Sequence, residues 1–152
     1  MQIKDILIPG LKTISIDATM VEAQRILQEH NFRHLPVSDG QKLVGILSDR
    51  DVQRAMTVII SPETQKSQNL IQGHKKVSEY MSSPVHKMKN TDLVLTLVRE
   101  LLNRKVSCFI IEDESSSDIG IITTEDLMIL LLDLLQSKPR PMKILKKMFR
   151  MT

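Results

Sequence analysis

The feature that most constrains this chain is that it says one thing twice. Gly45-Ile46-Leu47-Ser48-Asp49-Arg50-Asp51 returns as Gly120-Ile121-Ile122-Thr123-Thr124-Glu125-Asp126, keeping glycine, apolar pair, hydroxyl and final aspartate in place. The match spreads outward: Thr19-Met20-Val21 answers to Thr91-Asp92-Leu93, and Asp5-Ile6-Leu7 to Glu79-Tyr80-Met81. A period of roughly 75 residues exceeds the common solenoid periods, so two copies of one unit fill the chain. Duplicated units tend to pack with pseudo-twofold symmetry, and function is expected where similar pockets meet.

In each copy a short apolar stretch (Thr13 to Ile16, Val85 to Met88) precedes a helix that opens at a hydroxyl. Thr19-x-x-Glu22 has capping-box spacing, whereas Thr91 is expected to cap alone because Val94 cannot complete a box. Met20, Ala23, Ile26 and Leu27 in the first copy, and Leu93, Leu97, Val98, Leu101 and Leu102 in the second, recur at helical spacing and predict a buried stripe. Two apolar runs around a polar turn follow, Leu35 to Val37 with Leu43 to Leu47, and Cys108 to Ile111 with Ile119 to Ile122, each reading as a hairpin. A closing helix completes a βαββα order, so the fold class is α/β with the unit present twice. The boundaries follow: repeat 1 over 1–60, a polar linker over 61–74 with a short helix after Pro62, repeat 2 over 75–136, and a tail over 137–152.

Composition narrows the class. With 152 residues the chain can bury roughly 70% of its unfolded surface. It has no Trp, one Tyr and three Phe, so Leu, Ile, Val and nine Met must build the core. A single Cys, Cys108 in an apolar strand, precludes an intrachain disulfide and reads as a buried inert thiol. The N-terminus lacks the pattern of a secretory signal, and the greasiest run, Leu127 to Leu135, is too short to span a bilayer and contains Asp133. A soluble cytoplasmic protein is expected. The tail holds six basic and no acidic residues; without those six, 15 basic against 18 acidic residues leave the body at −3. Nucleic-acid binding is therefore not expected, while Met142, Leu145, Met148 and Phe149 beside the lysines give the tail an amphipathic basic pattern suited to weak membrane-surface contact or a partner groove. Leucines surround most of the last helix, which predicts a homodimer interface on part of it.

Ser48-x-x-Asp51 and Thr123-x-x-Asp126, at junctions from strand to helix, support two readings. Hydroxyl and carboxylate at that spacing cap a helix. Free amides and a hydroxyl at a helix start also attract phosphate, and a fixed carboxylate accepts the hydroxyls of a ribose. His30, His74 and His86 are scattered without ligand spacing, so no metal site is expected, and no phosphate loop or nucleophile motif points to an enzyme.

Arg33-His34-Leu35-Pro36-Val37, Leu43 to Asp51, and Gly120 to Leu127, with the Asp17-x-Thr19-x-Val21-x-Ala23 helix entry, closely resemble the paired cystathionine-β-synthase (CBS) motif, two of which make a Bateman module. The likeness runs from Lys4 to about Leu135. It implies a non-catalytic regulatory module that holds adenosyl nucleotides (AMP, ADP, ATP or S-adenosylmethionine) as effectors in clefts between the repeats and signals to a separate, unidentified partner protein, with no tightly bound cofactor. It implies Asp51 and Asp126 as ribose ligands, Ser48 and Thr123 as hydroxyl donors toward phosphate, Arg33 and His34 as the basic pair facing phosphates in adenylate-sensing members, and Arg50 as an assistant. The second copy departs, carrying Ser107-Cys108 where the first has Arg33-His34, and Glu125 for Arg50, so unequal pockets are expected. The competing reading is a structural dimerisation module with vestigial pockets.

Overall fold

A computed structural model describes residues 1–56 and 75–136. The linker 61–74 with its expected helix, and the tail 137–152, lie outside the described residues. The element order is β1 (Ile14–Ser15), α1 (Met20–His30), β2 (His34–Ser38), β3 (Leu43–Ser48), α2 (Asp49–Met56), β4 (Lys87–Lys89), α3 (Val94–Arg104), β5 (Cys108–Glu112), β6 (Asp118–Thr123) and α4 (Thr124–Leu135). The βαββα order thus occurs twice, as the duplication predicts, with a 3-10 turn before each copy (Ile3–Asp5, Val77–Glu79).

Each copy builds one three-stranded sheet, β1-β2-β3 or β4-β5-β6, with the first pair parallel and the second an antiparallel hairpin. The hairpins share a register: His34 faces Ser48 and Cys108 faces Thr123, with a shift at Val37/Ser38 and at Ile111/Glu112. This identifies Arg33 and His34 with Ser107 and Cys108.

The compact units are not contiguous in sequence. The first unit is Lys12–Val85, and the second joins Met1–Leu11 to the chain from His86 onward. In the first, the strap around Val77 caps α1 through Met20 N–H to Lys75 O (2.9 Å), and Val77 N–H donates to Ala18 O (2.9 Å). The strap then pairs with the outer strand, Ile46 and Ser82 exchanging N–H to O bonds of 2.9 and 2.8 Å. In the second, Ile3 N–H donates to Asp92 O (2.9 Å) and Gly10 N–H to Ile119 O (2.9 Å). These bonds occupy part of each sheet's exposed hydrogen-bonding edge. The straps also enter the cores: Val77 joins Ile14, Met20, Leu35 and Leu47, and Ile3, Ile6 and Leu7 join Leu97, Phe109 and Ile122.

The strap explains the motif glycine. A Cβ on Gly45 would lie 2.5 Å from Met81 Sδ and 3.0 Å from the Ser82 carbonyl oxygen, and one on Gly120 would lie 2.8 Å from Leu7 Cδ1. At Gly45 only a residue without a side chain lets the two backbones come so close, whereas at Gly120 the near atom is the end of a side chain.

Two helix-start expectations need correction. Thr19 caps α1 by accepting from Glu22 N–H at 3.2 Å, but Glu22 remains on the surface, and the strap lies opposite Thr19 through the flanking bonds of Met20 N–H to Lys75 O and Val77 N–H to Ala18 O. Thr91 does not cap α3: the N-cap is Leu93, which bridges to Gln2 as Thr19 does to Lys76. The copies align Thr19 with Leu93, two residues beyond the match read from sequence. The strap carbonyl of Met1 accepts Val94 N–H at 3.2 Å, so the α3 start finds an acceptor without a hydroxyl. The α3 stripe shifts accordingly: Val94, Leu97 and Leu101 are buried, while Leu93 and Leu102 are exposed.

Candidate functional site

Both signature motifs sit where a hairpin's second strand runs without a loop into a helix, so hydroxyl and carboxylate are tied to rigid elements at both ends. Asp51 Oδ2 accepts from Ser48 N–H (2.8 Å) and Ser48 Oγ–H (2.7 Å), while Ser48 Oγ lies 3.3 Å from Asp51 N–H as acceptor. The second motif repeats this: Asp126 Oδ2 lies 2.9 Å from Thr123 N and 3.1 Å from Thr123 Oγ1, which in turn accepts Asp126 N–H at 3.3 Å. Both aspartates are buried, at 9% and 3% exposure, so each carboxylate is held in one orientation. The capping geometry is therefore present at both motifs. It does not exhaust a carboxylate, which has about four acceptor positions.

Sequence reading missed Arg54. Its Nη2 donates to Asp51 Oδ1 at 2.9 Å, three residues along α2, with Arg54 68% exposed and the Asp51 side chain 12% exposed. The i, i+3 spacing is the signal that could have found it. The matching position in α4 is Ile129, which is buried.

The structure divides the remaining predicted residues. His34, half-buried, lies across the ladder from Ser48 and belongs with that motif. Arg33 turns elsewhere: its Nε donates to Asp49 Oδ2 at 3.2 Å, and both residues line a cleft of about 390 Å³ with Gln24, Gln28, Asn31 and Gln53. Neighbouring residues entering a strand project to opposite faces, which separates the two. Arg50 is exposed in the first turn of α2, its N–H donating to Asp49 Oδ1 at 2.9 Å. The first motif's helix carries Arg50 and Arg54, where the second motif's helix carries Glu125 and Ile129.

Cys108, opposite Thr123, is buried, and desolvation pushes its thiol up to about 12. It is a packed side chain without nucleophilic character at neutral pH. His30 stacks on Phe32 and His86 packs tilted against Phe109; His74 lies outside the described residues. Among the described residues no cluster of three or more metal-ligating side chains forms, and no helix is long and apolar enough to cross a membrane.

Comparison with known proteins places these features in a family. The CBS domain family matches twice, over residues 3–58 and 77–133. A CBS domain-containing protein of Dictyostelium discoideum is 27% identical over 139 residues, covering 90% of this chain and 95% of that one. An L-aspartate semialdehyde sulfurtransferase of Methanocaldococcus jannaschii is 29% identical over 126 residues, 82% of this chain, but the chain spans only 22% of that enzyme's length. Among solved structures, a CBS domain pair in complex with 5′-methylthioadenosine and S-adenosyl-L-methionine is 27% identical with a TM-score of 0.67, covering 86% of this chain and 95% of that one. A second, crystallised with AMP, is 24% identical with a TM-score of 0.67 over 89% and 98%, a likeness of fold. With both copies of the βαββα unit matched and the paired Gly-apolar-apolar-Ser/Thr-x-x-Asp motifs in equivalent places, this chain belongs to the CBS domain family.

Proposed function

We propose that this chain is a non-catalytic regulatory module that binds an adenosyl nucleotide and, as a homodimer, passes the nucleotide's level to a separate partner protein. The observation that carries the reading is the pair of buried aspartates, each fixed by its own strand end as a rigid acceptor for ribose hydroxyls. The 27% identical pair that holds 5′-methylthioadenosine and S-adenosyl-L-methionine supports an adenosyl ligand over other nucleosides. Ligand changes the module's state only through different affinities for two arrangements, and that difference is what a partner reads. A cytoplasmic setting suits both the ligand class and the single reduced cysteine.

The two motifs are proposed to differ in ligand. Asp51 has Arg54 beside it, with Arg50 in the first turn of the same helix, so the first motif favours a phosphorylated nucleotide, with Ser48 and His34 toward the phosphate. The second motif carries Glu125 and Ile129 at the positions of Arg50 and Arg54, and with Thr123 and Asp126 it favours a less charged adenosyl compound or none. Replacement of Arg54 by Ala is expected to weaken ATP binding and flatten its salt dependence, while S-adenosylmethionine binding is unaffected.

The deciding experiment is thermal unfolding with AMP, ADP, ATP and S-adenosylmethionine for wild type, Asp51→Ala and Asp126→Ala, each read against its own ligand-free midpoint. Ligand at a hundred times its dissociation constant adds about 2.7 kcal/mol, a rise of roughly 5 to 10 °C at this size. A rise abolished in one aspartate variant supports the reading and identifies the working motif. The second reading, a dimerisation module whose aspartates serve only as caps, is favoured by their reciprocal bonds to Ser48 and Thr123, and it wins if no ligand moves the midpoint. Consumption of any nucleotide would overturn both.

A further inference from the structure

The Asp51 carboxylate is nearly full before any ligand arrives. A carboxylate offers about four acceptor positions. Among the described residues three donors already use them: Ser48 N–H and Ser48 Oγ–H reach Oδ2 at 2.8 and 2.7 Å, and Arg54 Nη2 reaches Oδ1 at 2.9 Å. A ribose diol brings two more donors, one too many for the positions left. One present donor must therefore leave, and the three are not equal. The two from Ser48 belong to the reciprocal cap in which Ser48 Oγ also lies 3.3 Å from Asp51 N as acceptor, so losing them would undo the start of α2. Arg54 is different: its side chain is 68% exposed on a long flexible stem, while that of Asp51 is 12% exposed. It is the donor that can swing away without disturbing backbone or cap.

We infer that Arg54 is a displaceable counterion that makes ribose binding at the first motif depend on a phosphate: the diol takes the Asp51 position that the guanidinium vacates, and the guanidinium moves to the phosphate. The inference rests on the proposed adenosyl reading and specifies how the first motif selects among adenosyl compounds. The two exchanges are linked energetically. A charge-assisted hydrogen bond is roughly twice as strong as a neutral one, so an uncharged nucleoside that puts a hydroxyl in place of the guanidinium weakens the bonding of a mostly buried carboxylate. A nucleotide makes good that loss, because the guanidinium fork meets phosphate oxygens through two parallel bonds. The second motif has no such exchange at the equivalent place, where the buried Ile129 supplies no donor. Arg54 thus acts against adenosine and for AMP, whereas a simple phosphate ligand would do only the second.

The test is titration calorimetry with adenosine and with AMP on wild type, Arg54→Ala, Asp51→Ala and Arg54→Ala/Asp51→Ala, with circular dichroism to confirm that each is folded. Removing an ion pair of this exposure should strengthen adenosine binding about three- to fivefold, and losing the charged bonds to phosphate should weaken AMP binding about tenfold or more. Selectivity between the two compounds therefore moves from both ends. The gain for adenosine should vanish in the double variant, which locates it at Asp51. Adenosine binding that is unchanged, weakened or undetectable in Arg54→Ala overturns the displacement, even if AMP binding falls, because a fixed phosphate ligand gives that pattern. A gain for adenosine that survives the loss of Asp51, or AMP binding that Asp51→Ala leaves intact, overturns it as well. In all these cases wild type still binds AMP and the adenosyl reading stands. A wild type that binds neither compound, and whose midpoint no adenosyl nucleotide raises, overturns that reading and this inference with it.

Discussion

Replacing Gly45 by Ala tests the claim that the strap, rather than a ligand or a turn, demands the motif glycine. The new Cβ would lie 2.5 Å from Met81 Sδ, 3.0 Å from Met81 Cγ and 3.0 Å from the Ser82 carbonyl oxygen. The thioether can swing away, because Met81 is half-buried and unbranched. The carbonyl cannot, since it accepts Ile46 N–H at 2.9 Å and the return bond from Ser82 N–H to Ile46 O is 2.8 Å. Relief requires moving the strap, and overpacking of this kind costs about 1–3 kcal/mol. The lower entropy of an unfolded alanine offsets about 0.4–1 kcal/mol of that. A net loss of about 1–2 kcal/mol lowers the midpoint by roughly 2–8 °C. Gly120→Ala is the internal control: its Cβ would meet the end of the Leu7 side chain at 2.8 Å, while the nearest backbone oxygen is 3.5 Å away. Only a side chain must give there, so the loss is expected to be at most about 1 kcal/mol. Denaturation followed by circular dichroism ranks the two, and Met81→Ala in the Gly45→Ala background should recover the thioether share and leave the carbonyl share. If Gly45→Ala lies within about 0.5 kcal/mol of wild type, or costs less than Gly120→Ala, the strap argument is wrong.

The remaining predictions concern caps, thiol and ion pairs. Ser48→Ala and Thr123→Ala each remove a cap hydroxyl and should cost about 0.5–2 kcal/mol in urea unfolding; a neutral result would mean that the reciprocal bonds do not hold the helix starts. Cys108 should resist iodoacetamide at pH 8 until the protein is unfolded. Its thiol titrates near 9 unfolded and about 12 folded, so the unfolded state loses the proton first and stability falls between pH 9 and 12, a fall that Cys108→Ala abolishes. Lys87 is held protonated above its ordinary range, chiefly by its hydrogen bond to Asp118 and then by Glu112, against the opposing effect of burial. Its raised value means that the contribution is complete below about pH 10.5 and lost as pH rises through the folded value, so Lys87→Met should differ from wild type at pH 7 and converge with it in strong alkali.

Much of the unit was legible before any coordinates, because its signals are local. Alternating apolar runs around Ser38 to Lys42 and around Glu114 to Asp118 specify hairpins through neighbours a few residues apart. Thr19 before Met20, Ala23, Ile26 and Leu27 specifies a capped amphipathic helix by the same short-range logic, and the duplication carries the reading from one copy to the other. Ser48, Asp51, Thr123 and Asp126 were legible as hydroxyl and carboxylate at a helix start for that reason.

The tertiary structure decided what depends on partners distant in sequence. Nothing within a few residues of Ile3 or Val77 announces that each strap completes a core and edges a sheet, since those bonds reach Asp92, Ile119, Ala18 and Ile46. Once a strap carbonyl serves the α3 start, Thr91 has no cap to make, and the helix begins two residues later than its sequence match. Arg33 and His34 are adjacent in the chain yet part company because entry into a strand sends neighbours to opposite faces, one toward Asp49 and the other beside Ser48. The sequence by itself determined the doubled unit, its element order and the chemistry of its two motifs. Only packing decided which backbone covers each glycine, which arginine reaches Asp51, and which leucines remain on the surface, because each is settled by long-range contacts that local spacing does not encode.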